Sequence, residues 1–221
     1  MVARGVLLLG LILAHPGTAK AAVIPFGPQN HVLLTTVTGA WGWTQIYRGD
    51  YSVNSVAIAP ILAAADDWIM IGGIRDGSAT IDVLAAVRTS DFITHTNQNV
   101  TNLFNGSQWY YNGGSLGFAG AGDTIAQTQA DTNGLAERDR LSWHTNGPGG
   151  FIGEYTASPT NIRFGWRSGN NTGLNISTDF DKIIFTASDV NAAVPEPATF
   201  ALLGSGIVAL VVRRRRASRT A

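Results

Sequence analysis

The chain has no cysteine. Disulfide staples, thiolate metal ligation and thiol catalysis are therefore excluded, and stability has to come from core burial and hydrogen bonding. Charge is scarce as well: Asp, Glu, Lys and Arg together make up 14% of the 221 residues. Histidine is scarcer still, with His31, His95 and His144 the three that lie beyond the first twenty residues. That is a thin stock for acid–base catalysis or imidazole metal sites. The formal net charge of zero is unevenly spread. Arg213, Arg214, Arg215, Arg216 and Arg219 crowd the C-terminus, while between Ala22 and Ala193 eight basic residues face fourteen acids, a net of −6. An acidic body lacks the basic face that phosphate contacts need, so nucleic acid is not an expected partner. What is abundant is glycine, at 26 residues, alongside six Trp, five Tyr and nine Phe. That balance fits a globular, β-rich domain and not a disordered chain.

The first 21 residues read as a secretory signal peptide. Arg4 gives the positive start, Val6 to Ala14 the short apolar segment, Pro16 and Gly17 the break, and Ala19-Lys20-Ala21 the small residues that a signal peptidase reads, with cleavage before Ala22. The apolar run is too short to span a bilayer. The last stretch has three parts in order. Val194-Pro195-Glu196-Pro197 is a stiff, extended spacer, because each proline fixes its own φ and biases its predecessor away from helix. Residues 198–212 carry no charge and are expected to form a transmembrane span. Arg213, Arg214, Arg215 and Arg216 open a basic end, 213–221, which the positive-inside rule keeps cytoplasmic. Fifteen helical residues rise about 22 Å, short of the ~30 Å hydrocarbon core, so the arginines must snorkel or the bilayer must thin. Gly204 and Gly206 are small residues within the span, but their spacing is not that of a helix-dimer motif.

These three ordered parts, behind an exported N-terminus, resemble the PEP-CTERM sorting signal of Gram-negative, exopolysaccharide-producing bacteria. The resemblance covers about 28 residues and rests on Pro195, Glu196 and Pro197 with the arginine cluster. It implies processing by an exosortase, a membrane-embedded cysteine transpeptidase, near the Pro-Glu-Pro segment. It speaks to how the protein travels, not to what its body does.

The body, residues 22–193, shows short apolar runs separated by Gly, Asn, Asp and Ser clusters, the pattern of an antiparallel β-sandwich, jelly-roll-like. Strands are expected at His31–Thr38, Ser52–Ala59, Trp68–Gly72, Thr80–Val87, Gln108–Tyr111, Leu116–Ala119, Thr124–Gln129, Arg138–His144, Gly150–Tyr155, Asn161–Trp166 and Lys182–Ala187. Alternation puts Ile162, Phe164 and Trp166 on one face and Leu141 with Trp143 on another. Asn105-Gly106, Asn112-Gly113-Gly114 and Asn133-Gly134 supply positive-φ turns. Pro60 to Ala65 is expected to form a single helical turn or a strand edge. Two stretches of the body, around Trp109 and around Trp143, are also similar to domains carried by other PEP-CTERM proteins, which bring no assigned activity with them.

Motifs with chemical content are few. Gly113-Gly114-Ser115-Leu116-Gly117 fits G-x-S-x-G, but a nucleophile elbow needs a strand before the serine and a helix after it, and here a turn precedes and a strand-like segment follows. His144 sits at a strand end beside Asn146 and Gly147, where a hydrogen-bonding residue is expected rather than a general base. Asp131-Thr132-Asn133-Gly134 echoes the start of a calcium loop without its later ligands; a loop Ca²⁺ stays open as a secondary expectation, with no metal ligands assigned. Gly117, Gly120 and Gly122 lack the lysine and helix of a phosphate loop, and Arg48-Gly49-Asp50 reads as a turn. Four Asn-x-Ser/Thr sequons are chance matches in a chain rich in those residues. Trp109, Tyr110 and Tyr111, together with Trp41 and Trp43, are the candidate ligand-binding residues, since exposed rings stack on sugars; alternation places Trp109 and Tyr111 on one face and Tyr110 on the other, so part of the set belongs to the core. The expectation is a non-enzymatic, exported cell-surface or extracellular-matrix protein of the exopolysaccharide or biofilm type. It starts anchored in the inner membrane with its body outside the cytoplasm and moves to the surface or medium after processing. Signal peptidase, exosortase and the membrane are the expected partners, with exopolysaccharide as a further one and no cofactor. A carbohydrate-binding module is the alternative, and a hydrolase a more distant one.

Overall fold

The computed structural model describes residues 21–132, 138–151 and 153–189. The signal peptide, the Asn133-Gly134 turn and the whole 194–221 tail lie outside the described residues. The body, residues 21–189, is a compact unit of its own. Its elements run β1 (Gln29–Leu33), a π-helical turn (Thr36–Ala40), β2 (Thr44–Asp50), β3 (Val56–Ala57), α1 (Ile58–Ala63), β4 (Trp68–Arg75), β5 (Thr80–Arg88), α2 (Thr89–Phe92), β6 (Asn102–Phe104), β7 (Ser107–Tyr111), β8 (Ser115–Gly120), β9 (Leu141–Asn146), β10 (Asn161–Ser168), β11 (Asn171–Thr172) and β12 (Phe180–Ala187). One sheet has the order β1-β5-β4-β12-β2; the other runs β11-β10-β9-β8-β7-β6, with β3 also on β10. All pairings are antiparallel.

The two sheets pack face to face. Ile69, Ile71, Val83, Ala85, Val87 and Ile184 of the first meet Trp109, Tyr111, Leu116, Phe118, Leu141, Trp143 and Ile162 of the second. Burying each such side chain contributes about 1.5–3 kcal/mol against the chain entropy lost on folding. The all-β sandwich expected from the sequence is therefore the architecture. Its second sheet, however, is six consecutive strands side by side, a meander; jelly-roll wiring, in which two Greek keys pass the chain between sheets, is not what this chain has. Short Asn-Gly connections explain the meander. Asn105 and Gly106 both take positive φ, 43° and 75°, the mirror-image turn that matches strand twist, and join β6 to β7 with Phe104 opposite Ser107. At the next corner Asn112 Oδ1 accepts from the backbone N–H of Gly114 and of Ser115, at 3.1 Å each, before β8 begins.

The first sheet is covered on its outer face too. Met70, Ile74, Ile81, Leu84, Ala86, Ile183 and Phe185 pack there under Val37 and Trp43, with Ala22, Ile24 and Val32 against them. Both faces of β4, β5 and β12 are thus dry, which is why these strands read as nearly unbroken apolar runs. Among the described residues no helix is long and apolar enough to cross a membrane.

Several expected elements differ. His31–Thr38 is a strand only to Leu33 and then turns helical. Ser52–Ala59 contributes just Val56 and Ala57 as strand before α1, whose six residues exceed the single turn expected and lie two positions earlier than Pro60–Ala65. Thr124–Gln129 and, in its described residues, Gly150–Tyr155 form no strand; each has one isolated bridge, Gln127 with Asp131 and Glu154 with Gly113. Arg48-Gly49-Asp50 is not a turn but the end of β2, with Gly49 opposite Lys182. Along β10 the register shifts on both sides of Gly165. Ile162 stays in the inter-sheet core, whereas the Trp166 ring meets His144 edge-on at 6.1 Å, so the regular alternation read from Ile162, Phe164 and Trp166 is broken by bulges.

Candidate functional site

The residues singled out from sequence are mostly committed to the fold. Trp109, Tyr110 and Tyr111 are buried, at 3%, 1% and 5% exposure. Trp109 and Tyr111 face the inter-sheet core, while Tyr110 faces the other side with Ala119 and Ile125 and donates its hydroxyl to Leu141 O at 2.8 Å. The exposed aromatic platform that sugar stacking needs is not formed by this set. Ser115 starts β8 directly opposite His144 on β9, so the two side chains share a face. They do not engage each other: Ser115 Oγ accepts from Gln127 Nε2 at 2.6 Å. His144 Nδ1 lies 2.8 Å from Gln129 O, and Nε2 lies 3.0 Å from Asn175 Oδ1. Burial holds the imidazole pKa below its ordinary value. A neutral ring donates once, through Nδ1 to the carbonyl, and then requires the Asn175 amide turned to donate to Nε2. Strand, not helix, follows Ser115, as the sequence implied.

Asp131 is also spent. Its Oδ1 accepts from Ala126 N–H at 3.0 Å and its Oδ2 pairs with Arg140 Nη1 at 3.0 Å, with Arg167 Nη1 at 3.8 Å. Arg140 donates as well to Thr124 O at 2.9 Å and lies 3.4 Å from Asp123. This buried Arg-Asp-Arg group pins residues 123–131 across the outer face of the second sheet. Another buried cation, Lys182, sits in a cage of carbonyls: its Nζ donates to Asp50 O, Tyr51 O and Val53 O at 2.6, 3.2 and 3.1 Å. The three acceptors favour the ammonium, but burial disfavours it more strongly and the pKa is lowered to about 7.

Several buried polar atoms among the described residues make no hydrogen bond, and three of them belong to residues that line one cavity. A cavity of about 60 Å³ is lined by Asn30, His31, Asp82, Arg138, Ser168, Gly169, Asn170 and Asn171. Its walls come from both sheets, β1 and β5 on one side and the β10–β11 turn on the other. The backbone is irregular here. His31 takes φ +53°, a strained conformation for a residue with a Cβ, and is skipped by the β1–β5 ladder, which pairs Asn30 with Val83 and Val32 with Ile81. Asp82, opposite it, is the extra residue where the β4–β5 register shifts. Asn30 Oδ1, Asp82 Oδ2 and Ser168 Oγ are each buried with no hydrogen-bond partner. The orientation of Asn30 is fixed by chemistry: its Nδ2 donates to the Asp139 carboxylate, which can only accept. Ser168 faces Asp82 closely enough to favour its ionised form without making a hydrogen bond of good geometry. Burial raises the Asp82 pKa, opposed by the charges of Arg75 and His31. Gly73 makes room for the Ser168 hydroxyl, which a Cβ there would meet. None of Asn30, Asp82 or Ser168 stood out in the sequence; the visible signal was a lone acid inside the apolar run Ile81-Asp82-Val83. Among the described residues no group of three or more His, Asp or Glu side chains is placed to hold a metal.

The PEP-CTERM protein-sorting motif matches residues 193–216, so the chain carries that motif, on the segment where Pro195, Glu196, Pro197 and Arg213–Arg216 were read as the signal. No curated protein and no solved structure matches the chain.

Proposed function

We propose that this is a non-enzymatic cell-surface or extracellular-matrix protein, exported by its first 21 residues and held in the inner membrane by residues 198–212, with its body outside the cytoplasm until an exosortase processes the tail. The observation that carries the reading is the sorting motif at residues 193–216. It implies an exosortase-sorted, exported and membrane-anchored protein; the surface or matrix role is the further step. The body supports it in two ways. The Ser115–His144 juxtaposition is committed to other partners, and the dry sandwich is the kind of stable module that survives outside the cell without disulfides. Deleting residues 194–221 in the producing bacterium should move the protein from the membrane to the soluble fraction, and the wild-type mature form should weigh less than the full chain by both its head and its basic end. Unchanged membrane fractionation of the deletion, or a mature mass that retains the arginine cluster, would refute it.

A further inference from the structure

We propose that Asp67, Trp68 and Arg88 clamp Asp189, and that this clamp sets the length of chain left free between the folded body and the segment an exosortase processes, a spacing role that rests on the sorting reading above. β12 completes its ladder at Ala187, which stands level with Trp68 on β4, and Trp68 stands level with Arg88 on β5. Asp189, just past the strand, is gripped by that row. Its carboxylate accepts from Trp68 Nε1 and from Arg88 Nη1 at 2.7 Å each, and its own N–H donates to Asp67 Oδ2 at 2.7 Å. The Arg88 guanidinium lies over the Trp68 ring at 4.7 Å, so the two donors are held side by side. The turn that supplies Asp67 is itself fixed to β12: Thr186 Oγ1 accepts from Asp66 N–H at 2.6 Å and donates to Trp68 O at 3.0 Å. The Trp68 N–H and Arg88 together hold the Asp189 carboxyl below its ordinary pKa, and so ionised.

Bonds on a residue beyond the last strand add little to the core. The Arg88 and Asp189 side chains are 48% and 43% exposed, and exposed ion pairs contribute little to global stability. What such a clamp does is stop fraying, which starts at chain ends that are not tied down. Fraying here opens two ladders at once, because β12 lies between β4 and β2. The clamp also stands where the sorting segment takes over. The motif match begins at residue 193, which leaves residues 190–192 between it and Asp189. The six residues from Asp189 to Pro195 reach at most about 20–22 Å, and each further residue released from the body adds about 3.4 Å. A chain anchored by its tail meets any pull on its body first at Asp189. By holding that residue, the clamp keeps β12 whole and fixes how much chain the processing enzyme is offered.

Two measurements test it. Full-length protein in detergent is digested with proteinase K and the resistant core is weighed by mass spectrometry. The wild-type core should end at or just beyond Asp189. The cores of Asp189→Ala and Arg88→Ala should end at Ala187 or earlier, with Tm unchanged because the lost groups are exposed. A boundary that stays at Asp189 in both variants would overturn the clamp. The spacing role is read in the producing bacterium by pulse–chase, following loss of the arginine end. Deleting Val190 and Asn191 should slow that loss severalfold, and adding Asp189→Ala to the deletion should restore the wild-type rate, since residues freed from the body replace those removed. A purely structural contact predicts no such rescue. If wild type is processed and the deletion is not slowed, or Asp189→Ala does not restore it, the spacing role is overturned while the sorting reading stands; a wild-type chain that is never processed overturns both.

Discussion

Gly165 lies against the ring of Tyr51, and substituting alanine there tests how tightly the two sheets are joined. Tyr51 is fully buried and held at every point: its N–H donates to Phe180 O at 2.7 Å, its carbonyl accepts from Gly165 N–H at 2.8 Å, and its hydroxyl donates to Arg167 O at 3.2 Å. A methyl on Gly165 would overlap Cδ1, Cγ and Cε1 of the ring by well over an ångström relative to a normal carbon contact of about 3.5–4.0 Å. The ring cannot swing away, because Gly73 flanks the hydroxyl end and Phe180 stands 5.9 Å off. Overpacking of this kind costs about 1–3 kcal/mol, and with so little freedom the upper figure applies. At ~2–4 °C per kcal/mol for a domain of this size, Gly165→Ala should lower the Tm by about 6–12 °C. Near-UV circular dichroism melts would read it. Gly39→Ala is the matched control, because an added methyl meets nothing there, and it should leave Tm within a degree or two. The double variant Gly165→Ala/Tyr51→Ala should be less damaged than the sum of the singles, since the methyl then fills part of the space left by the ring. Additive effects, or an unshifted Tm for Gly165→Ala, would refute the clamp.

Two further predictions concern buried charge. Arg140→Met leaves Asp131 without its closest cation and should cost about 3–5 kcal/mol, read as a lower urea midpoint; Asp131→Asn in the same chain should restore part of it. Lys182 governs a pH window. Its pKa falls from 10.5 unfolded to about 7 folded, so between those values the unfolded chain binds more protons and stability must rise with pH. Past pH 10 the slope should reverse, because burial raises the pKa of Tyr47, Tyr51 and Tyr110 and pushes Tyr111 up to about 12, and the folded state then holds the extra protons. Urea titrations from pH 7 to 11 would show the rise and the fall, with the rise absent in Lys182→Met.

What the sequence disclosed follows from where each signal is stored. The sorting tail is a linear word, so it was legible whole. β4, β5 and β12 were legible because a sheet coated on both faces demands long apolar runs. β2 was missed: Thr44–Asp50 is polar, carries a glycine, and is held by β12, whose residues lie more than 130 positions later. Thr124–Gln129 looked like a strand by alternation, yet its backbone is satisfied by side chains, with Ala126 N–H on Asp131 and Gln127 N–H on Asn99. Trp109 and Tyr111 were correctly set apart from Tyr110, but which side was wet required the 123–131 segment that covers the outer face. The polar cavity was not legible at all, since it joins residues 30, 82 and 168 and hinges on one φ at His31.

The position of β12 sets an order of events. It is the last strand in the chain, yet it lies inside the first sheet, between β4 and β2, and is the sole sheet partner of β2. A chain threaded across a membrane from its N-terminus can assemble the β6–β11 meander early, but β4 waits with one edge open and β2 with none of its ladder made until residue 187 has passed through. Folding of the body is thereby held back until the chain is within a few residues of its sorting segment.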